Sequence, residues 1–161
     1  MTEVNVMNEL VYRNLSEDAK RQICAWKYGG EYDLYNLPSY EEMQVRQIGF
    51  MNPQREKNYY GFWDESILVG FVNILEEKEE VFIGIGVNPD LCNKHYGQRM
   101  LLITYEISKK LYPNKPLYLE VRTWNIRAVK CYQKAGFRID GQAYELTTGI
   151  GTGTFYRMIR E

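Results

Sequence analysis

The sequence predicts a mixed α/β (α+β) fold, a single domain wrapped around one sheet, and three observations carry that reading. Short runs rich in β-branched and aromatic residues interleave with segments whose apolar positions recur at helical spacing. Their order is strand, two helices, three strands, helix, strand, helix and two strands, which suits one sheet with about four helices on it. The chain has 161 residues, enough for one substantial core and short for two, and no repeat, linker or low-complexity stretch divides it. Residues 1–161 therefore read as one domain.

Leu10 to Leu15 reads as the first strand. Ser16 then offers an N-cap, and Leu15, Ala19, Ile23 and Trp26 follow at helical spacing. Gly29 and Gly30 are expected to break this helix, opening a loop in which Tyr28, Tyr32 and Tyr35 cluster, and a second helix begins near Ser39. "YYGFWD" and "SILVGFVNIL" flank Asp64-Glu65 as a hairpin, and "EEVFIGIGV" makes a third strand after a charged turn at Glu76 to Glu80. In "YGQRMLLITYEISKKLY", Met100, Ile103, Ile107 and Leu111 lie along one helical face. "LYLEVR" is a strand, "NIRAVKCYQKAGF" a helix, and two closing strands are expected near Phe137 to Leu146 and Thr152 to Ile159.

The net charge of −1 hides a division between the two ends of the chain. Residues 1–90 carry eight Lys/Arg against sixteen Asp/Glu, whereas residues 91–161 carry twelve against five. Such asymmetry suits an anionic ligand held by the second part and a cationic one received by the first. A nucleic-acid binder would be basic overall, so no nucleic-acid partner is expected. Nothing resembles a signal peptide or a membrane span, and Cys24, Cys92 and Cys131 are odd in number and scattered, so a cytoplasmic protein without disulfides is expected. One histidine, His95, and no Cys-x-x-Cys spacing leave no ligand set for a soft-ligand metal site.

Two constellations carry chemistry. In "IGIGVNPDLCNKHYGQRM" a strand stops before Pro89 and passes through a polar loop into a helix near Gly97. Free N–H groups at such a helix start make an anion site suited to a pyrophosphate. The second constellation joins "LYLEVRTWN" to "NIRAVKCYQKAGF". Alternation puts Leu117, Leu119 and Val121 on one side of the strand and Tyr118, Glu120 and Arg122 on the other. Either Glu120 faces a cleft beside Tyr132, or it is a solvated charge paired with Arg122. In the helix, Asn125 stands at the N-cap and Gly136 at the end, and Ala128 leaves room one turn below Tyr132. Tyr132 thus points into a cleft or is a half-buried core aromatic. A carboxylate and a phenol, with unperturbed pKa values of about 4 and 10, can divide proton removal and donation between them. The tyrosines at 28, 32 and 35, with Trp26, line a pocket or lie flat over the core; both readings stand.

The order "VNPDLCNKHYGQRM", "LYLEVRTWN", "NIRAVKCYQKAGF" resembles the Gcn5-related N-acetyltransferase (GNAT) family. Its Asn-x-x-Ala-x-x-x-Tyr-x-Lys-x-Gly-Phe pattern is met by Asn125, Ala128, Tyr132, Lys134, Gly136 and Phe137. The motif likeness covers Ser66 to Phe137, and the order of elements extends it to the whole chain. The resemblance implies a mostly antiparallel sheet splayed between strands 4 and 5. It also implies acetyl-CoA as co-substrate, with pantetheine pairing along Ile85 to Val87 like an added strand. The pyrophosphate would lie at Asn93, Lys94, His95, Tyr96, Gly97 and Gln98, with Asn125 and Lys134 as further cofactor contacts. Two of three positions of the family's Arg/Gln-x-x-Gly-x-Gly/Ala loop depart here, Cys92 and His95, leaving Gly97. His95 in place of glycine limits backbone approach unless its φ is negative.

Glu120 and Tyr132 are also similar in placement to the base and acid of the ribosomal-protein N-terminal acetyltransferase branch. The segments "YELTTGIGTGTFYRM" and "AWKYGGEYDLYN" are instead more similar to uncharacterised bacterial members of the family. The implied activity is transfer of acetyl to a primary amine by direct attack in a ternary complex, the acceptor being a small-molecule or peptide amine. The backbone N–H of Val87 would polarise the thioester carbonyl, and Cys131 reads as helix packing. Trp26, Tyr28, Tyr32 and Tyr35 are the expected acceptor contacts. No metal and no membrane are implied, and a homodimer is left open. The alternative from another class is a non-catalytic acyl-CoA-binding or sensing module.

Overall fold

A computed structural model describes residues 9–161. The chain separates into two compact units, Met1–Val72 with Gly86–Tyr96, and Asn73–Ile85 with Gly97–Glu161. The strands, β1 (Val11–Asn14), β2 (Tyr59–Asp64), β3 (Ile67–Glu76), β4 (Val81–Val87), β5 (Leu117–Arg122), β6 (Arg138–Ile139), β7 (Tyr144–Thr148) and β8 (Gly151–Arg160), form one sheet in the order β1-β2-β3-β4-β5-β8-β6, with β7 added on β8. No described helix is long and apolar enough to cross a membrane.

In the first unit, β1 (Val11–Asn14) pairs antiparallel with β2 (Tyr59–Asp64). Between them lie α1 (Glu17–Ala25), a 3₁₀ turn at Gly30–Tyr35 and α2 (Tyr40–Arg46). The expected cap at Ser16 forms, its Oγ accepting from the N–H of Ala19, and Ser39 Oγ caps the second helix by accepting from that of Glu42, each at 3.1 Å. The core gathers Leu15, Ala19, Ile23, Met43, Phe50 and Leu68. The first helix ends before the two glycines. Trp26 leaves helical geometry with ψ at 136°, and its indole packs 6.3 Å from the ring of Phe71, so tertiary packing stops the helix earlier than glycine would.

The second unit holds most of the remaining sheet. β3 (Ile67–Glu76) turns through Glu77 to Glu80 into β4 (Val81–Val87). The long helix α3 (Tyr96–Leu111) leads to β5 (Leu117–Arg122), and α4 (Ile126–Lys134) follows. β4 and β5 are parallel and pair at only two positions, Val81 with Leu117 and Phe82 with Tyr118, after which they splay. β5 pairs antiparallel with β8 (Gly151–Arg160) along its whole length.

Two expectations fail in this unit. The buried face of α3 runs through Gly97, Met100, Leu101, Thr104, Ile107 and Ser108, while Leu111 is 51% exposed. Small hydroxyl side chains take the place that the apolar spacing assigned to larger ones. The first closing strand is broken in two, β6 (Arg138–Ile139) and β7 (Tyr144–Thr148), both antiparallel to β8. Ile139 stands opposite Met158 and Tyr144 opposite Phe155, so four residues, 140–143, face two, and Gly141 at φ +81° takes up the excess.

Candidate active site

The end of α4 explains the Ala-Gly-Phe sequence. The N–H of Phe137 donates to the carbonyl of Tyr132 at 3.0 Å, and that of Gly136 to the carbonyl of Gln133 at 3.0 Å, with Gly136 at φ +97°. This is a Schellman closure, and it anchors the backbone of Tyr132 itself. Arg160 completes it by donating to the carbonyl of Ala135 at 3.1 Å. At the other end, the side chain of Asn125 is buried and accepts from the N–H of Ala128 at 3.3 Å, so its cap function is met. Tyr132 is half-buried, and Lys134 is exposed on the last turn.

Glu120 does not pair with Arg122. Arg122 is 9% exposed, with its guanidinium 4.8 Å from the centroid of Phe155, and a Cβ at Gly153 would fall 2.0 Å from that guanidinium. The partner of Glu120 is Tyr144, whose hydroxyl donates to Oε2 at 2.7 Å. Burial, this hydrogen bond and the carboxylate's charge push the Tyr144 phenol far above its usual pKa, so it stays protonated and keeps its proton to donate. Around the pair, Arg157 stands opposite Glu120 in the β5–β8 register and donates to Glu80 and to Asp140, each at 3.1 Å. Its guanidinium lies 4.4 Å from the Tyr118 ring centroid, and the Tyr118 hydroxyl donates to Glu77 at 2.8 Å. The strand's polar face is thus held by fixed partners, and the half-buried Glu120 is held through one oxygen.

The segment after β4, up to Tyr96, belongs to the first unit. Asn88 fixes its start: its N–H donates to the carbonyl of Val69 at 2.9 Å and its amide to that of Leu68 at 3.2 Å. A 3₁₀ turn at Pro89–Leu91 follows, and Asn93, Lys94 and His95 are exposed before Tyr96 and Gly97 open α3. Asn93 and His95 both adopt left-handed backbone, at φ +69° and +66°. His95 therefore takes the conformation that glycine would, so the negative φ that would ease backbone approach is not adopted; the strain is about 1 kcal/mol per residue. Gln98 is half-buried as the third residue of the helix, and Tyr96 donates its hydroxyl to Asp64 at 2.5 Å.

The aromatic loop divides between its two readings. The Tyr28 hydroxyl donates to the carbonyl of Val87 at 2.7 Å, tying the loop to the end of β4. Trp26 packs on Phe71, whose ring lies so close to Gly86 that a Cβ there would meet it at 2.4 Å. Tyr32 and Tyr35 sit half-buried on the 3₁₀ turn. Ile85 and Val87 are half-buried near the end of β4. Sequence reasoning missed Tyr144 and Arg157, because each meets its partner across strands far apart in the chain. Strand alternation in "YELTT" is the one local sign that Tyr144 shares a face with its neighbours on β8.

The sequence profile described as the acetyltransferase (GNAT) family matches residues 14–137. The chain belongs to that family. Its members are acyltransferases, and acetyl transfer is the chemistry the membership supports. No curated protein matches the sequence. Among solved structures, this family member is similar in fold to a spermidine N-acetyltransferase chimera from Vibrio cholerae, at 18% identity over 95% of each chain with a TM-score of 0.73. An acetyltransferase (GNAT family) from Bacillus anthracis, also 18% identical over 95% of each chain, gives a TM-score of 0.74. The ribosomal-protein-S18-alanine N-acetyltransferase from Escherichia coli is 18% identical, with 94% of this chain and 93% of that chain covered and a TM-score of 0.65. Tyr144 and Arg157 lie beyond the matched 14–137 stretch.

Proposed function

We propose that the chain acts as one N-acetyltransferase domain that moves acetyl from acetyl-CoA to a cationic primary amine, by direct attack in a ternary complex. The observation that carries this reading is the splay: β4 leaves β5 after Phe82–Tyr118, while the strand continues to Val87. A strand edge released from its neighbour suits an amide-bearing chain such as pantetheine, with residues 85–87 supplying the pairing groups. The left-handed backbone at Asn93 and His95, directly before a helix N-terminus, suits the pyrophosphate, with Lys94 and Gln98 beside it. When bound, acetyl-CoA supplies the activated acyl carbon.

Within the protein, Glu120 removes the ammonium proton, directly or through water, and Tyr132 protonates the departing sulfur. The N–H of Val87 stabilises the developing oxyanion. Glu120 is suited to the task because Tyr144 occupies only Oε2 and leaves Oε1 for the amine. The acidic excess of residues 1–90 favours a cationic acceptor, and Trp26, Tyr28, Tyr32 and Tyr35 offer aromatic faces to it.

Thiol release with amine panels tests the reading, together with Glu120→Gln. The substitution is expected to depress turnover most at low pH, where solution supplies little free amine, and least at high pH, where the amine is already deprotonated. A constant mutant-to-wild-type ratio across pH would remove Glu120 as base. Failure of acetyl-CoA and CoA to bind by calorimetry would remove the whole reading.

A further inference from the structure

The peptide that ends β4, between Val87 and Asn88, is held at both of its ends. The N–H of Asn88 donates to the carbonyl of Val69 on β3 at 2.9 Å. In a trans peptide the carbonyl points away from the N–H, so the Val87 carbonyl lies on the edge of β4 turned away from β3. Extended backbone puts a residue's N–H and C=O on one edge, which brings the Val87 N–H to that same side. The Tyr28 hydroxyl, from 59 residues away, meets the carbonyl there at 2.7 Å.

Tyr28 is itself held from two directions. Its N–H donates to Oδ1 of Asn36 at 2.6 Å, and the Asn36 amide donates back to the Tyr28 carbonyl at 3.5 Å. Trp26, two residues earlier, packs on Phe71, whose ring covers Gly86, the neighbour of Val87. The loop thus reaches β4 at consecutive residues, at Gly86 through Phe71 and at Val87 directly. No strand steadies this edge, since the register of β4 with β5 ends at Phe82. An unpaired strand end opens readily, and the phenol takes the missing neighbour's place.

We propose that Tyr28 is a positioning residue for acetyl transfer: by pinning the Val87–Asn88 peptide it keeps the Val87 N–H aimed along the open edge at the thioester carbonyl. The inference rests on the acetyl-transfer reading with Val87 as oxyanion donor. The amine nitrogen, one proton gone to Glu120, bonds to the acyl carbon, and a carbonyl electron pair moves onto the oxygen that the Val87 N–H receives. That pair returns as the carbon–sulfur bond breaks. Sulfur leaves with the bonding electrons and takes the Tyr132 proton, and the surplus proton on nitrogen restores that phenol. A donor of this kind works only when it is aimed before the charge appears, so a loosened strand end lowers turnover without loosening the substrates. Tyr28 touches neither amine nor thioester in this role, and its effect is the same for every amine.

The test uses the full chain and Tyr28→Phe, which removes the bond to Val87 and keeps the ring. In the unliganded protein, amide hydrogen exchange followed by NMR is expected to run about fivefold faster at Asn88, the weight of one neutral hydrogen bond, with melting temperature unchanged. In acetyl-CoA-dependent thiol release, kcat is expected to fall about tenfold, less than the loss of about a hundredfold or more that follows outright removal of an oxyanion donor. That factor is expected to be equal for butylamine, diaminobutane and alaninamide, with amine KM and acetyl-CoA affinity by calorimetry held. Asn36→Ala frees the Tyr28 backbone; it is expected to lower kcat by itself and to add little to Tyr28→Phe, because both act through one bond. Unchanged exchange at Asn88 or a retained kcat overturns the assignment. A raised amine KM at constant kcat also overturns it, making Tyr28 an acceptor contact. Absence of thiol release by the wild type overturns the acetyl-transfer reading instead, and exchange at Asn88 then decides whether Tyr28 pins the strand end.

Discussion

Deleting one oxygen atom, Tyr144→Phe, tests how Glu120, the proposed general base, is held. The phenol donates to Glu120 Oε2 at 2.7 Å, a charge-assisted bond that forms fully only when the carboxylate is ionised. Bonds to charged groups contribute about 1.5–3 kcal/mol, and because both side chains are half-buried the lower end applies, about 1.5 kcal/mol. That is close to a tenfold change in an equilibrium, here the fraction of Glu120 held in the orientation that leaves Oε1 open. Loss of the bond is therefore expected to lower kcat/KM about tenfold. Around Glu120 the other groups stay in place: Tyr118 on its own strand, Arg157 opposite it on β8, and Glu80 beyond, bound to Arg157. The assay is thiol release under acetyl-CoA saturation, with melting temperature as control. The expected ratio of variant to wild type is about one tenth, with the melting temperature retained. A ratio near unity would refute the reasoning, because Glu120 would then be held without Tyr144.

Tyr132→Phe is expected to lower kcat by at least about a hundredfold, the usual weight of a positioned proton donor, with acetyl-CoA affinity by calorimetry unchanged; unaltered turnover would make Tyr132 a packing residue. Gly136→Ala is expected to destabilise the fold by about 1–2 kcal/mol, because φ is +97° and the new Cβ would lie 2.8 Å from Nε of Arg160. Denaturant unfolding measures it, and a loss confined to a few tenths of a kcal/mol would mean that the Schellman closure relaxes freely.

The element order up to α4, the caps at Ser16 and Asn125, and the glycine at the end of α4 were legible in the sequence, the last three because each depends on neighbours within one helical turn. So were the family pattern over Asn125 to Phe137 and the face on which Glu120 stands, which strand alternation alone decides. Tertiary structure decided what alternation leaves open. Trp26 ended α1 early by packing on Phe71, and β8 split the first closing strand because its register leaves four residues opposite two. It also decided who holds Glu120: Arg122, two residues away, turns to Phe155, and Tyr144, 24 residues away, takes the carboxylate. A residue's local geometry sets which way its side chain leaves the backbone. Whether an oxygen at that point finds a phenol or a guanidinium depends on strands joined by register across the sheet, and no short stretch of sequence encodes that register.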